Sequence, residues 1–360
     1  MTGPTDPGFE PRRWLRGPHA QTILPNWPFR RARVERRAAP MLTAARELLL
    51  ECGDGVTLQA FHSSPGQLDV QPGPRGHDRR LAVILHGWEG SADSTYMLSL
   101  GQTFFDAGYE TVRLNLRDHG ATHHLNRELF HSCRLPEVVG AVRNLATRFP
   151  GLPIVLAGFS LGGNVLLKYL GERGDDVPAA VRAAAGVSVP YDLARGSRHI
   201  GQGFSRVYQR SFLQSLKRKA LAKLEQFPDL ADRARIDAAR TLYDFDDVVT
   251  APVHGFADAA DYYRQSSAMH FLSGIRVPTL LLSAVDDPFL PADVLDEVRG
   301  VASGNPMLRV EFIARGGHVG FIAGAVPWRP FYYAEWRVGD FLEHALQAAD
   351  AHPRSVVAHG

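Results

Sequence analysis

Cysteine is nearly absent: the 360 residues hold only Cys52 and Cys133. Two are too few for a disulfide framework, and they lack the close spacing of a zinc ligand pair, so free thiols in reducing surroundings are expected. Lysine is scarce too. Of the 40 basic residues only Lys168, Lys217, Lys219 and Lys223 are lysine, the remainder being arginine, a bias that GC-rich coding explains without a guanidinium-specific function. No charge of one sign is in excess. The 38 acidic residues leave a formal net charge of +2, which excludes a chain built around nucleic-acid phosphate. No apolar run approaches the roughly 18 residues of a membrane span, and the N-terminus lacks the apolar core of a signal peptide. A cytoplasmic protein is expected. Hydrophobic residues at 45% and charged residues at 22% exclude disorder as the main state. The length suits two average domains or one large α/β domain with an insertion.

Residues 1–40 differ from the rest. Eight arginines lie between Arg12 and Arg37 against one acid, Glu35, and five prolines run from Pro11 to Pro40. The prolines argue against a continuous amphipathic helix. A wrapped N-terminal arm is the favoured reading, and weak, peripheral association with a membrane surface is the alternative.

Strands are then expected at 46–52 and 56–62 around an Asp54-Gly55 hairpin turn, followed by a Gly- and Pro-rich loop at 63–80. Beyond it, apolar runs at 81–85, 111–116, 154–157, 183–189, 279–282 and 308–313 alternate with helical patterns near 96–107, 135–149, 162–173, 293–299 and 333–348. Such alternation predicts a mostly parallel central sheet with helices on both faces. The stretch from Tyr191 to Phe271 is too long for an ordinary connection. It predicts an inserted, mainly helical cap (191–271) between two parts of one core (41–190 and 272–350), with a C-terminal tail at 351–360.

Gly158-Phe159-Ser160-Leu161-Gly162 follows an apolar strand and opens a helical stretch. A sharp turn there needs small neighbours around the serine and holds the hydroxyl above the sheet, over a helix N-terminus that favours developing negative charge. Ser160 is the expected nucleophile. His86-Gly87-Trp88-Glu89-Gly90 ends another strand, at the edge where α/β sheets bind ligands. The backbone N–H groups of Trp88 and Leu161 are the expected oxyanion hole. Asp286 and Asp287 both sit in a Pro-bounded turn after the strand at 279–282. Asp287, four residues before Pro291, is favoured as the acid that orients a histidine, and Asp286 stays open, the other carboxylate bracing the turn. His318, between glycines after the strand at 308–313, is the expected base.

These residues, in the order Ser…Asp…His, resemble the α/β-hydrolase superfamily. Gly17-Pro18-His19-Ala20-Gln21-Thr22, Gly162-Gly163-Asn164 after the serine, Ala284 to Pro288, and Asp261-Tyr262-Tyr263-Arg264 in the cap look like its YheT-like branch. That branch includes fungal medium-chain fatty acid ethyl ester synthase/esterases and animal abhydrolase-domain lipases. The resemblance implies the α/β-hydrolase fold, an acyl-enzyme mechanism at Ser160, Asp287 and His318, no cofactor or metal, and a small acyl ester of short or medium chain as substrate. Acyl transfer to an alcohol, or lipase action on glycerolipids, would use the same residues, whereas a non-catalytic binding module would not need them intact. The sequence departs from the branch at Arg117-Asp118-His119-Gly120, where Arg-Gly-Cys-Gly is commoner. The nearby His119, His123, His124 and His131 read better as pocket walls than as metal ligands. Aromatic residues of the cap (Phe204, Phe212, Phe227, Tyr243, Phe245, Phe256, Tyr262, Tyr263) either face an acyl chain or pack the cap's own core.

Overall fold

A computed structural model of the chain describes residues 8–68, 79–326 and 329–351. The start of the expected arm, most of the loop at 63–80 and nearly all of the tail at 351–360 lie outside the described residues. Strands β1 (Ala45–Glu51), β2 (Thr57–Ser63), β3 (Leu81–Leu85), β4 (Glu110–Leu114), β5 (Ile154–Phe159), β6 (Val181–Val187), β7 (Thr279–Ala284) and β8 (Leu308–Ile313) form an eight-stranded sheet in the order β1-β2-β4-β3-β5-β6-β7-β8. The first two strands join antiparallel and the other six run parallel. Gly53, Asp54 and Gly55 all have positive φ and close the β1–β2 hairpin, which is why two of the three are glycine.

Before the sheet come α1 (Pro18–Ile23), α2 (Pro28–Arg37) and α3 (Ala39–Thr43). Helices α4 (Thr95–Asp106), α5 (Leu135–Arg148) and α6 (Leu161–Arg173) follow β3, β4 and β5. Between β6 and β7 lie α7 (Leu193–His199), α8 (Arg206–Gln226), α9 (Arg233–Ala238), α10 (Leu242–Phe245), α11 (Ala251–His254) and α12 (Ala259–Ser266). Helices α13 (Ala292–Ser303) and α14 (Tyr333–Ala351) complete the chain.

Alternation along β3 sets the layers. Leu81, Val83 and Leu85 pack with side chains of α5, α6 and α13 on one face. Ala82 and Ile84 pack with those of α4 and α14 on the other. All five are buried, so the strand reads as a continuous apolar run, as an interior parallel strand must.

The described residues before β1 form short helices that pack on the core. Pro18, Pro28 and Pro40 each sit in the first turn of a short helix, where a missing N–H costs nothing. The same prolines that forbid one long helix therefore start three short ones. Val34, Ala38 and Met41 pack against Leu98 and Phe105 of α4. Arg30 closes the wrap through a buried 2.6 Å ion pair with Glu335 of α14.

Two short strands, β9 (Ile322–Val326) and β10 (Arg329–Tyr332), form a separate antiparallel hairpin after β8. The sequence reading passes over them. Gly324 and Pro330 interrupt both runs, and such residues weaken a strand pattern that tertiary contacts can still hold. Among the described residues no helix is long and apolar enough to cross a membrane.

Candidate active site

Strand β5 ends in Phe159, and the chain turns at Ser160 with φ +49° and ψ −122° before entering α6. That conformation is strained for a non-glycine residue, and its neighbours must leave room for it. A side chain on Gly162 would meet the carbonyl oxygen of His86 at 2.2 Å, and one on Gly87 would meet the Ser160 Cβ at 3.0 Å. The turn after β3 is thus pressed directly against the serine. The Trp88 and Leu161 amides make no hydrogen bond among the described residues, and Leu161 is the first residue of α6, where N–H groups lack helical partners.

His318 bridges the serine and an acid. Its Nε2 lies 2.8 Å from Ser160 Oγ, and its Nδ1 lies 2.8 Å from Asp287 Oδ2. A carboxylate oxygen accepts, so Nδ1 carries the hydrogen and Nε2 is free to take the serine's. Asp287 is buried, and its other oxygen accepts the Phe289 N–H at 2.8 Å. The Phe289 ring lies over the imidazole, with centroids 4.1 Å apart. Asp286 points elsewhere: its Oδ1 accepts the Gly317 N–H at 2.9 Å. Burial pushes the Asp286 carboxyl up, against the pull of the Gly317 and Gly316 amides.

The His318 loop is held by three side chains on three consecutive amides. Asp286 takes Gly317 N–H, Thr22 Oγ1 takes His318 N–H at 3.0 Å, and Ser188 Oγ takes Val319 N–H at 3.0 Å. Gln21 is fully buried and ties the next stretch: its Oε1 accepts from Ile322 N at 2.7 Å and its Nε2 donates to Ile322 O at 2.9 Å. The sequence reading notes Gln21 and Thr22 only as part of a family pattern and passes over Ser188. Ser188 has φ +49°, which no local sequence pattern announces.

His86 does not face the cavity as a titrating group. Its Nδ1 donates to Gly87 O at 2.7 Å and its Nε2 accepts from Leu116 N at 3.1 Å, lacing β3 to the turn after β4. Burial pulls its pKa down to about 4, so it is neutral at pH 7. His119 uses the same tautomer, donating to Arg117 O at 2.7 Å and accepting from Glu89 N at 3.3 Å. His119 and His131 line the cavity, while His124 is exposed. Among the described residues no group of three or more His, Cys, Asp or Glu is placed to hold a metal. The departure at Asp118 also has a physical account. Its carboxylate forms a buried 2.8 Å ion pair with Lys223 of α8, tying this loop to the helices between β6 and β7.

A geometry of this kind invites comparison with known proteins. The family model described as "alpha/beta hydrolase fold" matches residues 82–325. The chain belongs to that family. It is 36% identical over 342 residues to "Putative esterase YheT" of Escherichia coli (strain K12), covering 94% of each chain. It is 29% identical to the "Monoacylglycerol lipase" of Saccharomyces cerevisiae over 67% of this chain and 54% of that one, about half its length. It is 26% identical to "Phospholipase ABHD3" of Mus musculus over 78% of this chain and 67% of that one. The esterase Pf2001 of Pyrococcus furiosus superimposes with a TM-score of 0.54 at 14% identity, over 84% of this chain and 91% of that one. At that identity the match speaks for the fold. The chain is an enzyme, a hydrolase of esterase and lipase kinship.

Ser160 and His318 open on a cavity of about 560 Å³, within the range that encloses a drug-sized ligand. Ile23 and Pro25 of the arm, Leu161 and Phe289 of the core, and Leu193, Ile200, Phe212, Leu242 and Phe245 between β6 and β7 form its apolar wall. Of the eight aromatic residues left open between an acyl chain and internal packing, Phe212, Phe245, Tyr262 and Tyr263 line it. The other four do not. Phe204 is exposed beside His19, Phe227 lies under Arg127, Tyr243 packs on Tyr263, and Phe256 packs on Tyr262.

The wall also carries polar groups that sequence reasoning misses. Glu89 pairs with Lys219 at 2.7 Å and accepts a hydrogen bond from Ser215. Asp246 accepts from Tyr263 Oη and Thr250 Oγ1, each at 2.6 Å, and burial raises its pKa to about 6. Asp246 opens a π-helical turn running to Thr250, a local irregularity often found at functional sites.

Proposed function

We propose that the chain is a serine carboxylesterase that hydrolyses short- to medium-chain acyl esters through an acyl-enzyme. The observation that carries this reading is His318 set 2.8 Å from both Ser160 Oγ and Asp287 Oδ2. Ser160 Oγ attacks the ester carbonyl carbon as its proton passes to His318 Nε2. The carbonyl oxygen gains negative charge and takes hydrogen bonds from the Trp88 and Leu161 amides, which have no other partner among the described residues. Collapse breaks the bond to the alcohol, which leaves with the proton from Nε2. Water then gives a proton to Nε2, attacks the acyl carbon and releases the acid, and the serine recovers its proton. Asp287 holds the imidazole in the required tautomer throughout.

In this reading the segment 191–271 serves as a cap whose apolar side chains receive the acyl chain. Asp286 braces the histidine loop rather than touching the imidazole. The reaction needs no metal or organic cofactor.

The test is hydrolysis of p-nitrophenyl esters from acetate to palmitate by wild type and Ser160→Ala. The expected result is activity that peaks at one chain length and is lost in the variant. A folded wild type that turns over none of the series would sink the proposal.

A further inference from the structure

Six of the nine large apolar side chains exposed among the described residues fall in two short stretches. Trp14, Ile23, Trp27 and Phe29 lie in the arm, Phe204 just before α8 and Val207 in its first turn, with exposures from 40% at Ile23 to 84% at Phe29. The two stretches meet. The His19 ring lies 4.5 Å from that of Phe204, and its Nδ1 is 3.2 Å from Tyr208 Oη. They meet at the cavity: Ile23, Pro25 and Asn26 on one side and Tyr208 on the other are part of its lining.

The same two stretches are basic. Between Gly8 and Arg37 the only acids are Glu10 and Glu35, and between residues 193 and 224 there is none. Arg12, Arg13, Arg31 and Arg36 in the arm, and Arg198, Arg206 and Arg210 near α8, are exposed. The chain as a whole carries a formal charge of only +2, so this concentration is local.

Exposed tryptophan and phenylalanine interspersed with arginine is the composition of a surface that sits at a lipid–water boundary, the rings among the head groups and the cations against anionic lipid. A soluble substrate needs no apolar rim, and an apolar rim open to water costs free energy unless something covers it. We infer that this rim docks on an anionic lipid surface, with the cavity mouth turned toward it, so that the ester is drawn from the bilayer rather than from solution. The consequence for substrate class rests on the esterase reading above; the docking itself does not.

The experiment is flotation of the full chain with vesicles of phosphatidylcholine alone and of phosphatidylcholine mixed equally with phosphatidylglycerol. It compares wild type with Trp27→Ser/Phe29→Ser, Phe204→Ser/Val207→Ser and Arg12→Gln/Arg13→Gln/Arg210→Gln. Turnover of p-nitrophenyl acetate in solution is followed in parallel. Wild type is expected to float with the anionic vesicles, each variant to lose about tenfold in partitioning, and soluble turnover to stay unchanged. Wild type that stays behind with both vesicles, or variants that float as well as wild type, would overturn the inference. Equal flotation with the neutral vesicles would overturn the part given to the arginines. A concentration-dependent dimer that the serine variants dissociate would overturn it as well, assigning the rim to a second copy. Wild type that floats but hydrolyses no ester would remove the proposed reaction and support the docking.

Discussion

Asp286 and Asp287 are neighbours in sequence and serve opposite ends of one histidine. Asp287 Oδ2 meets the imidazole Nδ1 at 2.8 Å, and Asp286 Oδ1 meets the amide of Gly317, the residue before His318, at 2.9 Å. One carboxylate acts on the ring and the other on the backbone that carries it. Asp287→Asn would offer the ring the wrong hydrogen-bonding pattern and should lower kcat by about 10³–10⁴-fold. Asp286→Asn keeps an oxygen that can accept from Gly317 and should cost less than about tenfold. Steady-state kinetics of the two variants on one ester separates them, and equal losses would contradict the assignment.

Thr22 offers a test at the level of positioning. It accepts from the His318 N–H and donates to Pro18 O at 2.8 Å, so it links the arm to the histidine loop without touching the ring. Thr22→Val keeps the shape and leaves the part-buried His318 N–H without its partner, a cost of about 1 kcal/mol. The loop should then sample positions in which Nε2 is out of reach of Ser160. The expected result is kcat lowered about tenfold with KM unchanged, and recovery in Thr22→Ser. A parallel rise in KM, or no recovery with serine, would indicate a general loosening of the site.

The buried carboxyl of Asp246 should leave a mark on stability. Its pKa rises from 3.8 to about 6 on folding, because burial disfavours the charge more strongly than Thr250 and Tyr263 favour it. The folded protein therefore binds the proton more tightly than the unfolded chain. The contribution is fully present below about pH 4, shrinks as the pH rises through 6, and is lost above it. Relative to Asp246→Asn, wild type should lose about 2 kcal/mol of unfolding free energy between pH 4 and pH 7. Urea unfolding of both proteins across that interval measures the difference, and parallel curves would show that Asp246 does not titrate as described.

Much of this was legible in the residues because the signals were local. Strands β3, β5 and β7 are apolar runs bounded by turn residues, and the run before Ser160 joins directly to the pattern of α6. The order Ser160, Asp287, His318 could be read for the same reason: each lies just past a strand. What could not be read was whatever depends on distant partners. Gln21 reaches Ile322, Ser188 reaches Val319 and Lys223 reaches Asp118, and no spacing along the chain encodes such meetings. The β9–β10 hairpin escaped because Gly324 and Pro330 interrupt its two short runs. Of the eight aromatic residues named between β6 and β7, four line the cavity, and of the other four Phe204 and Tyr243 are exposed. Composition announced their number but not the direction in which each ring points.

The tie between Gln21 and Ile322 spans 301 residues, and this sets a schedule for synthesis. A chain emerging from the ribosome exposes α1 early, yet the backbone groups that α1 must bind follow only after roughly 15–60 seconds of translation. For about the last half of that interval Ser160 has been made but lacks His318, which lies 158 residues downstream. On the reading proposed above, Ser160 therefore has no base while the chain is being made, and the site is complete only once α1 and the segment that follows His318 have met.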